Sequence, residues 1–197
     1  MTRKTYGQYC GLAKALDHVG DRWTLLIVRE LLIGPRRYSR IRAGLPGIAT
    51  NLLADRLREL EADGIIRRGD AGYELTEFGR GLEKVVHDLV RWGGRWMRHR
   101  EPTEEFRPEW FAIALAALVP RRRAGKVEVR TGDGVVSIDR GRVRVGSLDD
   151  PDAIVEGETQ VVLGVAVGEL PLASLEVTGD AKAAAGALGA GRRSQPA

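Results

Sequence analysis

The segment from Gly44 to Arg68, GLPGIATNLLADRLRELEADGIIRR, constrains this chain more than any other stretch. Leu53, Leu57 and Leu60 stand at i, i+4 and i+7, which aligns three apolar side chains on one stripe of a helix. The spacing predicts a helix over about 49–62, entered through a Leu45-Pro46-Gly47 turn. Asp63-Gly64 stops it, and Ile65-Ile66-Arg67-Arg68 reads as a strand ending in paired cations. At 100° per residue the side opposite the leucines carries Asn51, Asp55 and Arg58, with Thr50 and Ala54 beside them.

By itself such a face is an ordinary solvated helix surface. Its surroundings change the reading. Upstream, Tyr9–Val19 has Leu12, Ala15, Leu16 and Val19 at helical spacing, and Gly20 stops it. Asp21 is placed to cap the next helix, whose inward face is expected to be Trp23, Leu26, Ile27, Leu31 and Leu32. Gly34-Pro35 ends that helix, and a short one follows with Tyr38, Ile41 and Leu45 apolar. Downstream, Gly69-Asp70-Ala71-Gly72 is a hairpin turn and Tyr73-Glu74-Leu75 the return strand. A helix able to enter a groove, followed by a basic hairpin, is a winged helix-turn-helix. Asn pairs bidentately with adenine, and Arg with guanine or phosphate. Asp55 suits an ion pair with Arg58 better than a base contact. Thr76-Glu77-Phe78-Gly79 caps a long helix expected to run to about His99, with Leu82, Val85, Val86, Leu89, Trp92 and Trp96 along one side.

The charge is unevenly spread. The first hundred residues hold 19 Lys+Arg against 12 Asp+Glu, and the remainder 12 against 15, for a net +4. A basic first half points to an anionic partner, nucleic acid before a membrane surface. No apolar run reaches the roughly 18–20 residues of a membrane span, and no apolar signal core follows the N-terminus, so a cytoplasmic protein is expected. The single cysteine, Cys10, excludes an internal disulfide. The histidines His18, His87 and His99 show neither HxxxH nor HExxH spacing, and Gly132-Asp133-Gly134 lacks the Lys-Ser/Thr of a phosphate loop. No enzyme activity, metal or cofactor is expected.

After the polar, proline-bearing segment His99–Glu109, the pattern changes. A helix over Trp110–Val119 leads into alternating strands at Val127–Arg130, Val135–Ile138 and Arg142–Val145. A helix over Thr159–Val167, a strand at Ser174–Thr178 and an Ala-rich helix at Asp180–Leu188 close the chain.

Over about residues 9–96 the sequence resembles the HxlR-type winged-helix transcriptional regulators. The resemblance rests on Cys10, Gly20-Asp21-Arg22-Trp23-Thr24-Leu25-Leu26-Ile27, Gly34-Pro35-Arg36-Arg37-Tyr38, Leu45-Pro46-Gly47-Ile48, Arg56-Leu57-Arg58-Glu59-Leu60-Glu61, Asp63-Gly64-Ile65-Ile66 and Tyr73–Arg80. It implies a homodimer on double-stranded DNA at a pseudo-palindromic operator, with the terminal helices in the dimer interface. The expected DNA contacts are Arg37, Ser39, Arg40, Thr50, Asn51, Ala54, Asp55, Arg56, Arg58, Arg67 and Arg68. The expected dimer contacts are Leu82, Val86, Leu89, Trp92 and Trp96. The wing is shorter than the family's usual form and lacks its proline. In some members a cysteine at the position of Cys10 senses oxidants or electrophiles, which makes Cys10 a candidate redox sensor. Lys14, one turn on, would favour its thiolate. A packing cysteine is the alternative.

Over about 110–188 the chain resembles sterol-carrier-protein type lipid-binding domains, on Asp152-Ala153-Ile154-Val155-Glu156-Gly157 and Gly179-Asp180-Ala181-Lys182-Ala183. This implies an α/β fold with an apolar tunnel and a hydrophobic small-molecule ligand. A spacer or dimerisation domain with a filled interior is the alternative. The expected fold is thus α+β: a winged helix-turn-helix domain with a long dimerisation helix (1–100), a linker (101–109), an α/β sterol-carrier-protein-like domain (110–190) and a disordered tail (191–197). The expected function is a DNA-binding transcriptional regulator modulated through its second domain. The rival readings are a thiol redox sensor acting through Cys10 and a lipid carrier whose winged helix is an interaction module.

Overall fold

The computed structural model describes residues 5–97, 104–120 and 125–190. His99, residues 101–103 of the expected linker and the expected 191–197 tail lie outside them. Packing divides the chain into two units, Met1–Val86 and His87–Ala197. The division falls inside a helix rather than at the expected joint near residue 100.

The first unit opens with α1 (Gly11–Val19), on which the preceding residues are pinned: the Tyr6 N–H donates to Asp17 at 2.8 Å. The 3.6-residue stripe is present, but its burial is not as expected. Leu12 is 69% and Leu16 39% exposed, whereas Ala13 and Val19 are buried. Tyr9 precedes the helix and is fully exposed. Next comes α2 (Thr24–Leu32), where Asp21 accepts from the Trp23 N–H at 2.9 Å, one turn ahead of the helix proper. Its inward face is Ile27, Val28 and Leu31, each 0–1% exposed. Leu26 is open, and Trp23 and Leu32 are half-buried. Then follow α3 (Tyr38–Ala43) and α4 (Thr50–Ala62), whose Leu53, Leu57 and Leu60 are 0–2% exposed as their spacing requires.

The strands β1 (Ile66–Gly69) and β2 (Gly72–Leu75) pair antiparallel around an Asp70-Ala71 turn. The expected single long helix is interrupted. It forms α5 (Glu77–Arg80), then α6 (Leu82–Gly93), and ends in a 3-10 turn at Gly94–Trp96. Thr76 caps α5 as expected, accepting from the Gly79 N–H at 3.0 Å. At Gly81 the backbone bonds back to Phe78, a tighter turn, and Gly93-Gly94 sets two copies of the weakest non-proline helix former side by side.

The second unit contains α7 (Pro108–Leu118), β3 (Lys126–Thr131), β4 (Gly134–Asp139), β5 (Arg142–Val145), β6 (Ala153–Glu156), α8 (Thr159–Val167), β7 (Glu176–Gly179) and α9 (Ala181–Leu188). The sheet order is β5-β4-β3-β6-β7, with β6 parallel to β3 and every other pair antiparallel. Alternation sends Val127, Val129, Val136, Ile138, Ala153 and Val155 to one face, each at most 1% exposed. On that core pack α7, α8 and α9, through Leu115, Val162, Val165 and Leu188, all at 0% exposure. Asp180 caps α9, accepting from the Lys182 and Ala183 N–H groups at 2.7 and 3.2 Å. On the other face Glu128 is nonetheless 2% exposed, because the Leu148 N–H donates to it at 2.8 Å and Arg130 pairs with it at 2.7 Å. Among the described residues no helix is long and apolar enough to cross a membrane, and no three acidic, His or Cys side chains gather as a metal site.

Candidate nucleic-acid interface

The leucine stripe seats α4 on the first unit's core, so its opposite side must face out. Thr50, Asn51 and Arg58 are exposed there, and Ala54 and Asp55 are half-buried. Arg58 forms the expected ion pair with Asp55. The residue at the N-cap of α4 is Ala49, which has no oxygen to offer the first-turn N–H groups. A helix start of this kind suits a phosphate. The Tyr38 hydroxyl donates to the Thr50 carbonyl at 2.8 Å, tying α3 to the first turn of α4.

Arg37, Ser39 and Arg40 are exposed at the start of α3, and Arg42, absent from the expected set, is exposed with them. Arg56 is placed differently. Its guanidinium donates to Asp21 at 3.0 Å and to Glu59, and it is 25% exposed. That braces α4 against the segment before α2 instead of presenting a free cation. Heptad-like counting cannot reveal this, since Asp21 lies 35 residues away.

In the wing, Arg67 donates to Glu74 at 2.7 Å across the strand pair, and the Arg68 guanidinium lies 5.8 Å from the Tyr73 ring centre. The wing is held from the far side by Arg36, whose backbone exchanges two 2.9 Å hydrogen bonds with Tyr73. Gly72 is required there: φ is +122° and a Cβ would fall 2.4 Å from the Arg36 carbonyl oxygen.

The expected dimer contacts divide. Val86 is buried and Leu82 half-buried, whereas Leu89, Trp92 and Trp96 are 45–63% exposed. Trp92 and Trp96 meet edge to face at 4.8 Å, with the Arg95 guanidinium over both rings. Cys10 is exposed just ahead of α1. The Ala13 and then the Leu12 backbone N–H hold its thiol below the ordinary value, so the helix start, not Lys14, favours the thiolate.

In the second unit an open cleft of about 410 Å³ lies beside Glu156, Gly157 and Ala173–Glu176, at the end of β6. Leu175 of its lining also belongs to the hydrophobic layer between sheet and helices, where buried valines and leucines gather.

Residues 18–101 match the family model described as HxlR-like helix-turn-helix. Among curated proteins, the HTH-type transcriptional regulator YvaP of Bacillus subtilis is 35% identical over 91 residues, 43% of this chain and 84% of the relative. The chain belongs to the HxlR-like helix-turn-helix family. YybR, another HTH-type transcriptional regulator of Bacillus subtilis, is 36% identical over 43% of this chain and 73% of its own length. Among solved structures, the redox regulator HypR in its oxidised form aligns at 34% identity over 47% of this chain and 99% of that one, with a TM-score of 0.42. As a member of the HxlR-like family the protein is a transcriptional regulator, and the matched segment is the one that carries α2, α3, α4 and the wing.

Proposed function

We propose that this HxlR-like protein binds double-stranded DNA sequence-selectively as a homodimer on a pseudo-palindromic operator. The observation that carries the reading is one compact unit presenting the polar face of α4, with Thr50, Asn51 and Arg58 exposed, and a wing bearing Arg67 and Arg68. In this reading α4 enters the major groove and the wing arginines meet backbone phosphate. Arg37, Ser39 and Arg40 add contacts at the start of α3. Leu89, Trp92 and Trp96 supply apolar surface for the second copy. A two-fold dimer doubles the phosphate contacts and sets the half-site spacing. Selection of duplexes from a random pool, followed by binding at rising salt, tests this. Enrichment of an inverted repeat and a steep fall of affinity with salt are expected. No enriched sequence would sink the reading.

A regulatory input remains to be assigned. A thiol input at Cys10 is favoured by its exposure and by the helix-start N–H groups that stabilise its thiolate. A hydrophobic ligand in the second unit is favoured by the sterol-carrier-like segments Asp152–Gly157 and Gly179–Ala183. Operator binding by the Cys10→Ser variant, with and without a quinone electrophile and with and without a long-chain fatty acid, separates the two. Loss of the electrophile response alone assigns the input to Cys10.

A further inference from the structure

We propose that Glu30 is the positioning residue that locks the recognition helix and the wing into one reading frame; the inference rests on the DNA-binding reading above. Glu30 is 1% exposed, a carboxylate inside the first unit's core on the second helix of the motif. Its Oε1 accepts from Arg29 Nε at 3.2 Å and Nη2 at 2.9 Å, and its Oε2 accepts from Arg36 Nη1 at 3.3 Å.

Each arginine carries the contact on to a different reading element. Arg29 Nη2 also donates to the Gly44 carbonyl at 2.9 Å, where α3 ends and the turn into α4 begins. Arg36 is the residue whose backbone holds Tyr73 of the wing by two hydrogen bonds. The carboxylate therefore stands at the meeting of α2, the start of the recognition turn and the anchor of the wing. Gly44 records how closely it is seated: a Cβ there would fall 2.2 Å from Glu30 Oε2, so a side chain at that turn would force the carboxylate to shift.

A buried charged group of this kind is a poor way to gain stability, since well-packed apolar side chains of the same volume often do as well or better. What it supplies is direction. Bidentate and single guanidinium hydrogen bonds have fixed geometry, which apolar contacts lack. Recognition by a winged helix needs that direction, because α4 must meet base edges while the wing meets phosphate one groove away. A slip of either element costs selectivity before it costs attraction.

The test uses the full chain, an operator duplex selected by the parent protein and a scrambled duplex of equal length. Glu30→Gln keeps the shape and removes the charge. Its expected result is a fall of at least about tenfold in the operator-to-scrambled affinity ratio, with scrambled binding changed by less than about twofold. Hydrogen exchange should quicken at the Tyr73 amide while Leu57 and Leu60 stay protected. Arg36→Gln removes one arm only and gives the same two readouts should Glu30→Gln fail to fold. A lower melting temperature with an unchanged ratio and an unchanged Tyr73 amide overturns the inference. A parent protein that prefers no duplex overturns the DNA-binding reading instead, and the Tyr73 amide still decides whether Glu30 positions the wing.

Discussion

Arg58 and Arg56 stand two residues apart on α4 and have opposite surroundings. Arg58 is 74% exposed and pairs with Asp55, and a surface pair of that kind is worth little. It can leave its partner for a base edge at small cost. Arg58→Ala is therefore expected to weaken operator binding by about 1–3 kcal/mol and to relax selectivity at one base pair, read by titration against single-base operator variants. Arg56, held by Asp21 and Glu59, should instead show its effect in thermal stability. A different kind of residue effect sits in the second unit. Burial pushes the Glu128 carboxyl up, but the Leu148 N–H and the Arg130 guanidinium outweigh it and leave it below the usual carboxylate range. A depressed folded value means the stabilisation is complete above the unfolded value and is lost as pH falls through the folded one. Chemical denaturation of the Glu128→Gln variant should thus show a weaker loss of stability below about pH 4 than the parent.

At the scale of elements, α4 follows directly from its sequence. Three leucines at helical spacing are all buried, and the polar positions fall outside. Leu57→Ala should cost about 2–5 kcal/mol by urea unfolding, with the polar face itself untouched. The helices flanking the motif were less legible. Spacing gives Leu12 and Leu16 of α1 an apolar stripe, yet both are exposed, and Leu89 and Trp92 of α6, expected at a dimer face, are exposed on the single chain. Periodicity reports that a helix has an apolar side; it does not report whether the same chain covers it. The break between α5 and α6 came from glycines that local pattern reads as tolerated. Gly79 shows why one is needed: a Cβ there would fall 1.9 Å from the Ile65 carbonyl oxygen. In the second unit the alternating strands β3, β4 and β5 were plain in sequence, whereas β7 lies at Glu176–Gly179 rather than at Ser174–Thr178, behind a 3-10 turn at Leu172–Ser174. The strand order, with β6 beside β3, was not plain, because neighbouring strands in a sheet need not be neighbours in sequence.

At the scale of the whole molecule, the exposed side of α6 and the turn after it poses a question of its own. Leu89, Trp92 and Trp96 are each 45–63% exposed, and large apolar groups gathered on a helix side mark interaction surfaces. Leu89→Asp is expected to shift sedimentation velocity from dimer to monomer and to steepen the concentration dependence of operator binding. Retention of the dimer would move the interface elsewhere. The basic first hundred residues, with 19 Lys+Arg against 12 Asp+Glu, suit the same picture, since that stretch carries α4 and the wing.

The sequence by itself determined the elements that depend on neighbours along the chain. These are the leucine stripe and stop of α4, the hairpin of the wing, the Thr76 cap, and the family resemblance over about residues 9–96. Only the tertiary structure decided what distant side chains do to one another. It turned Arg56 toward Asp21, buried Glu30 between Arg29 and Arg36, and occupied the layer under the second sheet with valines and leucines. The reason is physical. Helical and strand periodicity are set by contacts within a few residues, whereas a buried ion pair or a filled interior depends on side chains that the fold alone brings together.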